Sequence, residues 1–259
     1  MKISVFGLDY VGTVAAACLA RDGHYVIGID PNSTKVDLIN GGRSPIIEAD
    51  IDRLIADAVK SGRLSATKSA DYGISRTELS LVCVGTPSQT NGSLDTRYVS
   101  RVCNEIGAEL ARLKRRHTVV IRSTLLPGSM RDIVVPALEA SSGLAAGADF
   151  GLCNNPEFLR EGTAVYDYDN PPKTVIGEID QASGDQLLSL YQHLVAPVIR
   201  TTVDAAEMVK YVDNVWHALK ICFANEIGNI AKDAGLNGTQ IMEMFCKDEK
   251  LNISKAYLK

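Results

Sequence analysis

Hydrophobic and polar positions fall into alternating blocks over the first two hundred residues. Short apolar runs at residues 2–6, 26–30, 80–84, 118–121 and 150–153 are nearly continuous. Such runs suit strands covered on both faces, as in a parallel sheet. Between them lie stretches with helical spacing, at residues 13–22, 33–40, 49–61, 95–112, from 129 to about 140, and 183–194. In residues 49–61 the apolar set is Ile51, Leu54, Ile55, Ala58 and Val59, one face of a helix. Residues 175–177 close the series as an expected edge strand. Strand and helix taking turns in this way predict an α/β fold: a Rossmann-like, doubly wound, mostly parallel sheet. From residue 203 to 234 neither strand nor breaker occurs, so a long helix follows. The expected organisation is a first domain over 1–200 and the start of a helical central domain over 201–259.

The opening strand–turn–helix–strand carries the first candidate chemistry. Gly7-Leu8-Asp9-Tyr10-Val11-Gly12 follows a strand and opens an Ala-rich helix, and the second strand ends in Asp30. That layout fits a dinucleotide: the turn and helix N-terminus face a pyrophosphate, and the acid accepts from a ribose hydroxyl. Asp9 stands where the fingerprint has its middle glycine, so the backbone approach is obstructed and a carboxylate is added. Lys35 lies just beyond the acid, where a cation meets the adenosine end. Three later strands end in polar clusters, Gly85-Thr86-Pro87, Arg122-Ser123-Thr124 and Asn155-Pro156-Glu157. In a parallel sheet these ends share one edge with the Gly7 turn, where ligands bind.

Composition alters little. The chain is 46% hydrophobic and 22% charged with a net charge of -4, which gives no reason to invoke nucleic acid or an acidic membrane. Six scattered cysteines without a C-x-x-C pair read as reduced thiols of a cytoplasmic protein, with neither a disulfide framework nor a metal site. The sequence Ala15-Ala16-Ala17-Cys18 superficially suggests a lipoprotein signal, but the strand–turn–helix pattern accounts for every residue of it. No apolar segment is long enough for a membrane span.

Two stripes run along the long helix. Val209, Val212, Trp216, Leu219, Phe223, Ile227 and Ile230 form a core or subunit-contact face, while Lys210, Asn214, His217 and Asn225 form a polar one that lacks the Glu/Lys pairs of a solvated surface. With these motifs in order, through Asn155-Pro156-Glu157-Phe158-Leu159-Arg160-Glu161 and Lys210-x-x-x-Asn214, the chain resembles the nucleotide-sugar 6-dehydrogenases of the UDP-glucose/GDP-mannose dehydrogenase family. Asn214-Val215-Trp216-His217 and the run from Phe223 to Asn229 favour the GDP-mannose branch of alginate synthesis.

The resemblance implies an NAD-dependent oxidation of the C6 alcohol of GDP-mannose to the carboxylate, in two hydride transfers through a cysteine thiohemiacetal and thioester. On matching positions it implies that Gly7, Tyr10, Val11, Gly12, Asp30, Lys35, Thr86, Thr124 and Glu161 hold NAD. Lys210 and Asn214 would stabilise the oxyanion, and Thr124 and Glu161 would place water or take protons. Substrate contacts would come from Glu161, Lys210, Asn214, His217, Asn225, Tyr257 and Lys259, partly across a homodimer formed through the 203–234 helix. The nucleophilic cysteine of the family lies in a Gly-Gly-Ser-Cys loop that the sequence does not contain, so a truncated, inactive fragment is expected. The alternative is a non-catalytic dinucleotide-binding and dimerisation module. A Rossmann methyltransferase also has the strand-end acid, but leaves Thr86, Thr124 and the Lys210 stripe unexplained.

Overall fold

The computed structural model describes residues 1–248. Its sheet has eight strands in the order β3-β2-β1-β4-β5-β6-β7-β8. These are β1 (Lys2–Phe6), β2 (Tyr25–Ile29), β3 (Leu64–Thr67), β4 (Leu79–Val82), β5 (Thr118–Ile121), β6 (Gly151–Asn154), β7 (Thr174–Glu178) and β8 (Val198–Thr201). Strands β1 to β6 are mutually parallel, in the doubly wound order 3-2-1-4-5-6.

Successive residues of a strand point to opposite faces, and the core divides accordingly. Ile3, Val5, Leu79, Leu81, Val120 and Cys153 join one apolar cluster; Phe6, Val82, Val119, Ile121 and Leu152 join the other. Helices α1 (Tyr10–Arg21) and α3 (Ile51–Lys60) supply the first cluster; α5 (Arg97–Leu110) and α6 (Val135–Ser142) supply the second. The Ala-rich composition of α1 lets it lie close against the sheet, with Gly12 through Ala20 all buried. The remaining short helices of this half are α2 (Ser33–Asn40), α4 (Ala70–Arg76), α7 (Ala164–Asp169) and α8 (Gln181–Leu188). Asn32 caps α2, accepting from the Thr34 N–H at 2.9 Å.

One expectation fails. Residues 175–177 do not form the sheet edge: β7 runs antiparallel beside β6, and β8 pairs outside it. The sequence hides β8 because it is a half-exposed edge strand with a charged residue inside it. Arg200 reaches from it to Glu178 at 2.7 Å and to Asp185. Charge on an edge strand discourages pairing with other chains. Strand β3 and helix α4 were equally illegible, since each is short and offers only two buried apolar side chains or fewer.

The chain divides into two compact units, Met1–Lys210 and Tyr211–Lys259. Helix α9 (Val203–Asp233) begins in the first and supplies most of the second, together with α10 (Gly238–Phe245). Within the second unit the rings of Phe223 and Phe245 pack with their centroids 5.5 Å apart, tilted by 47°. They help to line an apolar groove of about 440 Å³ with Trp216 and Leu219.

Candidate dinucleotide site

The turn after β1 is held on both sides. Gly7 has φ +87, a left-handed conformation that favours glycine, and its N–H donates to the Ile29 carbonyl at 2.8 Å. Gly12 is required for a different reason: a Cβ there would lie 1.8 Å from the Gly7 carbonyl oxygen. Thr13 Oγ1 donates to the Leu8 carbonyl at 3.0 Å and fastens the helix start to the turn. Asp30, buried at the end of β2, accepts from the Leu8 N–H at 2.8 Å and the Asn32 N–H at 2.9 Å. The acid is therefore a fixed acceptor beside the turn, at the switch point where β1 lies between β2 and β4.

Asp9 occupies the N-cap position of α1 with an ordinary φ of -78, and its side chain does not cap the helix. Its carboxylate turns instead to the Lys35 ammonium, which also lies 3.4 Å from Asp30. Burial works against the charged Lys35, but its two acids outweigh this and hold its pKa above the ordinary lysine value. Asp9 thus needs no unusual backbone. It occupies the cation expected to meet the adenosine end of a cofactor.

The three strand-end clusters do meet. Thr86 Oγ1 donates to the Thr124 carbonyl at 2.8 Å, and Ser123 Oγ to the Val84 carbonyl at 2.6 Å. Arg122 donates to Asn155 and to the Tyr191 hydroxyl, tying β5 to the end of β6. Lys210 is buried, and its ammonium donates to the Glu157 carbonyl at 2.6 Å and carboxylate at 2.8 Å. It also lies 5.6 Å from the centroid of the Phe158 ring. Glu157, so far only a member of its cluster, therefore holds the lysine of the polar stripe. The signal for it was the Asn155-Pro156-Glu157 cluster itself.

Tyr10 is the second link that the sequence underspecified. Its hydroxyl donates to Glu48, and the Gly162 N–H donates to the Tyr10 oxygen at 3.1 Å and to Glu48 at 2.8 Å. Burial, aided by the acceptor Glu48, pushes the Tyr10 phenol up to about 12. The turn after β1, the 41–50 loop and the loop bearing Glu161 are thereby pinned together. Val11 is half-buried and Glu161 exposed.

In the second unit Asn214, His217 and Asn225 are exposed side chains of α9. Tyr257 and Lys259 lie outside the described residues. Four cysteines, Cys18, Cys83, Cys103 and Cys153, are buried, and burial pushes each thiol up to about 12. None of these four is a thiolate at neutral pH. Cys222 and Cys246 are exposed. Among the described residues no cluster of metal-ligating side chains occurs, and no helix is long and apolar enough to cross a membrane.

A left-handed glycine turn running into a helix N-terminus, with a buried acid at the next strand's end, defines a dinucleotide-binding Rossmann domain. Residues 1–195 match the NAD-binding domain of the UDP-glucose/GDP-mannose dehydrogenase family, and residues 204–259 match its central domain; the chain belongs to that family. It is 53% identical over 259 residues to the GDP-mannose 6-dehydrogenase of Pseudomonas putida, covering all of this chain and 59% of that protein. A UDP-glucose 6-dehydrogenase of Haloferax volcanii is 35% identical over 256 residues, covering 97% of this chain and 59% of the relative. Among solved structures, a ternary complex of GDP-mannose dehydrogenase from Pseudomonas aeruginosa superimposes with a TM-score of 0.98 at 53% identity, covering all of this chain and 59% of that one. A UDP-glucose dehydrogenase from Pyrobaculum islandicum gives 0.91 at 38% identity, covering 95% of this chain and 56% of that one. The chain thus spans about three-fifths of the relatives it matches.

The cofactor of the family is NAD, and the site fits it. Gly7 and Gly12 let the turn run tightly into the N-terminus of α1, the end that receives a pyrophosphate, and Asp30 offers an acceptor to a ribose hydroxyl. Asp9 is the one group out of keeping.

Proposed function

We propose that this chain forms the cofactor-binding and catalytic-edge part of an NAD-dependent GDP-mannose 6-dehydrogenase. On this reading the C6 alcohol of the sugar is oxidised to the carboxylate in two hydride transfers. The observation that carries it is the 53% identity to GDP-mannose 6-dehydrogenases over the whole chain, against 35% to a UDP-glucose enzyme. The cofactor domain would run to about residue 200, with the central domain beginning at 201.

NAD, when bound, supplies the hydride acceptor. Asp30 binds a ribose hydroxyl, Gly7 makes the tight turn and Gly12 the close packing that bring the N-terminus of α1 to the phosphates. Lys35, Tyr10, Val11 and Thr86 complete the cofactor side. Thr124, joined to Thr86, and Glu161, on the loop pinned by Tyr10, place water and accept protons. Lys210, oriented by Glu157, and Asn214 stabilise negative charge developing on the C6 oxygen. His217 and Asn225 bind substrate, as do Tyr257 and Lys259. The six cysteines include none in a Gly-Gly-Ser-Cys setting, so the nucleophile of the second oxidation is not among them. We assign the protein to the cytoplasm on its unpaired thiols, and to a homodimer through α9, where Val212, Leu219 and Ile230 are more than half exposed.

A chimera tests the assignment. Residues 1–259 would replace the matching stretch of the Pseudomonas putida relative, and NADH formation would be followed with GDP-mannose and with UDP-glucose. Activity with GDP-mannose, lost on Lys210→Ala, is the expected result. No activity from either the chimera or its Asp9→Gly variant would contradict it. Asp9 supports a second reading, a module that no longer oxidises anything. Failure of both the chain and Asp9→Gly to bind NAD would favour that module.

A further inference from the structure

Arg122 does more than join two strands. Its side chain is buried, and among the described residues it makes no ion pair: its bonds go to Asn155 and to the Tyr191 hydroxyl, both neutral. Its Nε–H is buried without a hydrogen-bond partner. The Tyr168 hydroxyl is likewise buried and unpartnered. Both residues line one cavity of about 40 Å³, between the ends of β5 and β6 and helix α7.

Two unpaired buried donors around one space are rare in native proteins, because each forfeits its hydration. A buried guanidinium also needs compensating negative charge. Glu157 acts on Arg122 through space, but neither carboxylate lining the cavity hydrogen-bonds it, and both make their bonds elsewhere. Glu157 holds Lys210 at 2.8 Å and the Leu159 N–H at 2.7 Å. Asp167 holds Arg160 at 2.6 Å and the Thr163 hydroxyl at 3.0 Å. Burial raises the Tyr168 phenol well above its ordinary value, so it remains an O–H donor. The volume is roughly three times the 10–15 Å³ or so that a single water requires.

We propose that this cavity binds one small monovalent inorganic anion of the halide class, held by the Arg122 Nε–H and the Tyr168 hydroxyl. Such an ion would neutralise Arg122 and fix the strand ends that carry Thr124 and Glu157. The inference is independent of the substrate assigned above.

Thermal unfolding in sodium gluconate, with chloride replacing gluconate at constant ionic strength, measures the effect in solution. Tm should rise by several degrees as chloride is added. In Tyr168→Phe the chloride concentration giving half the effect should rise about tenfold, the loss of one charge-assisted hydrogen bond. An equal response in wild type and Tyr168→Phe would overturn the proposal. Crystals of the wild-type protein soaked in sodium bromide test it without a variant. An anomalous peak between Arg122 Nε and Tyr168 Oη is the expected result, and ordinary water density there without anomalous signal would refute it.

Discussion

Asp9 is the residue at which local chemistry and family membership conflict. A carboxylate about 4 Å from a phosphate charge, at an effective dielectric near 20, repels it by about 4 kcal/mol. Lys35 masks part of that charge, but the pair also withholds Lys35 from a cofactor. If a third of the repulsion survives, NAD binds about tenfold more weakly. Asp9→Gly should therefore tighten NAD binding by about tenfold or more, read by calorimetric titration; unchanged affinity would show that the pair with Lys35 already cancels the charge. Lys210 gives a second test. Both it and Glu157 have side chains only 10% exposed, so Lys210→Ala strands a buried carboxylate. It should cost about 3–5 kcal/mol in urea unfolding, and Glu157→Gln added to it should restore much of that. The sequence made Lys210, Asp30 and Gly12 visible because each sits at a position fixed by element geometry. It did not reveal the roles of Glu157 or Glu48, since a partner 53 or 114 residues away leaves no local pattern.

Most strands and helices could be read directly, because a strand covered on both faces must be continuously apolar and an amphipathic helix must repeat every three or four residues. Strand β8 escaped because an edge strand is wet on one side and carries Arg200. The π-type turn Met130–Val134 ahead of α6 escaped because its spacing mimics a helix. Element packing also predicts a pH response. At the start of β5 the buried His117 bonds Ser80 at 2.7 Å and the Thr77 carbonyl at 3.1 Å, with Arg115 nearby. Burial, reinforced by Arg115, pushes its pKa down to about 4, from an ordinary 6.5. Between those values the unfolded chain binds the proton more readily, so stability should fall as pH falls from 6.5 towards 4. The slope from this group is at most about 1.4 kcal/mol per pH unit. Urea midpoints across that range measure it, and His117→Gln should flatten the dependence.

At the scale of the molecule, α9 carries an apolar row largely uncovered among the described residues, with Val212, Leu219 and Ile230 each more than half exposed. Exposed rows of this kind mark contact surfaces. Sedimentation equilibrium should show a dimer, and Leu219→Glu with Phe223→Glu should shift it to monomer. A wild type that is monomeric at every concentration would remove the homodimer. The cofactor edge, by contrast, rests on a single unit and can be tested alone. Crystals of the protein grown with NAD should show the pyrophosphate over the Gly7–Gly12 turn, the adenosine ribose on Asp30, and the nicotinamide towards Thr124 and Lys210. Density for NAD at any other place, with the Gly7 turn open to solvent, would contradict it.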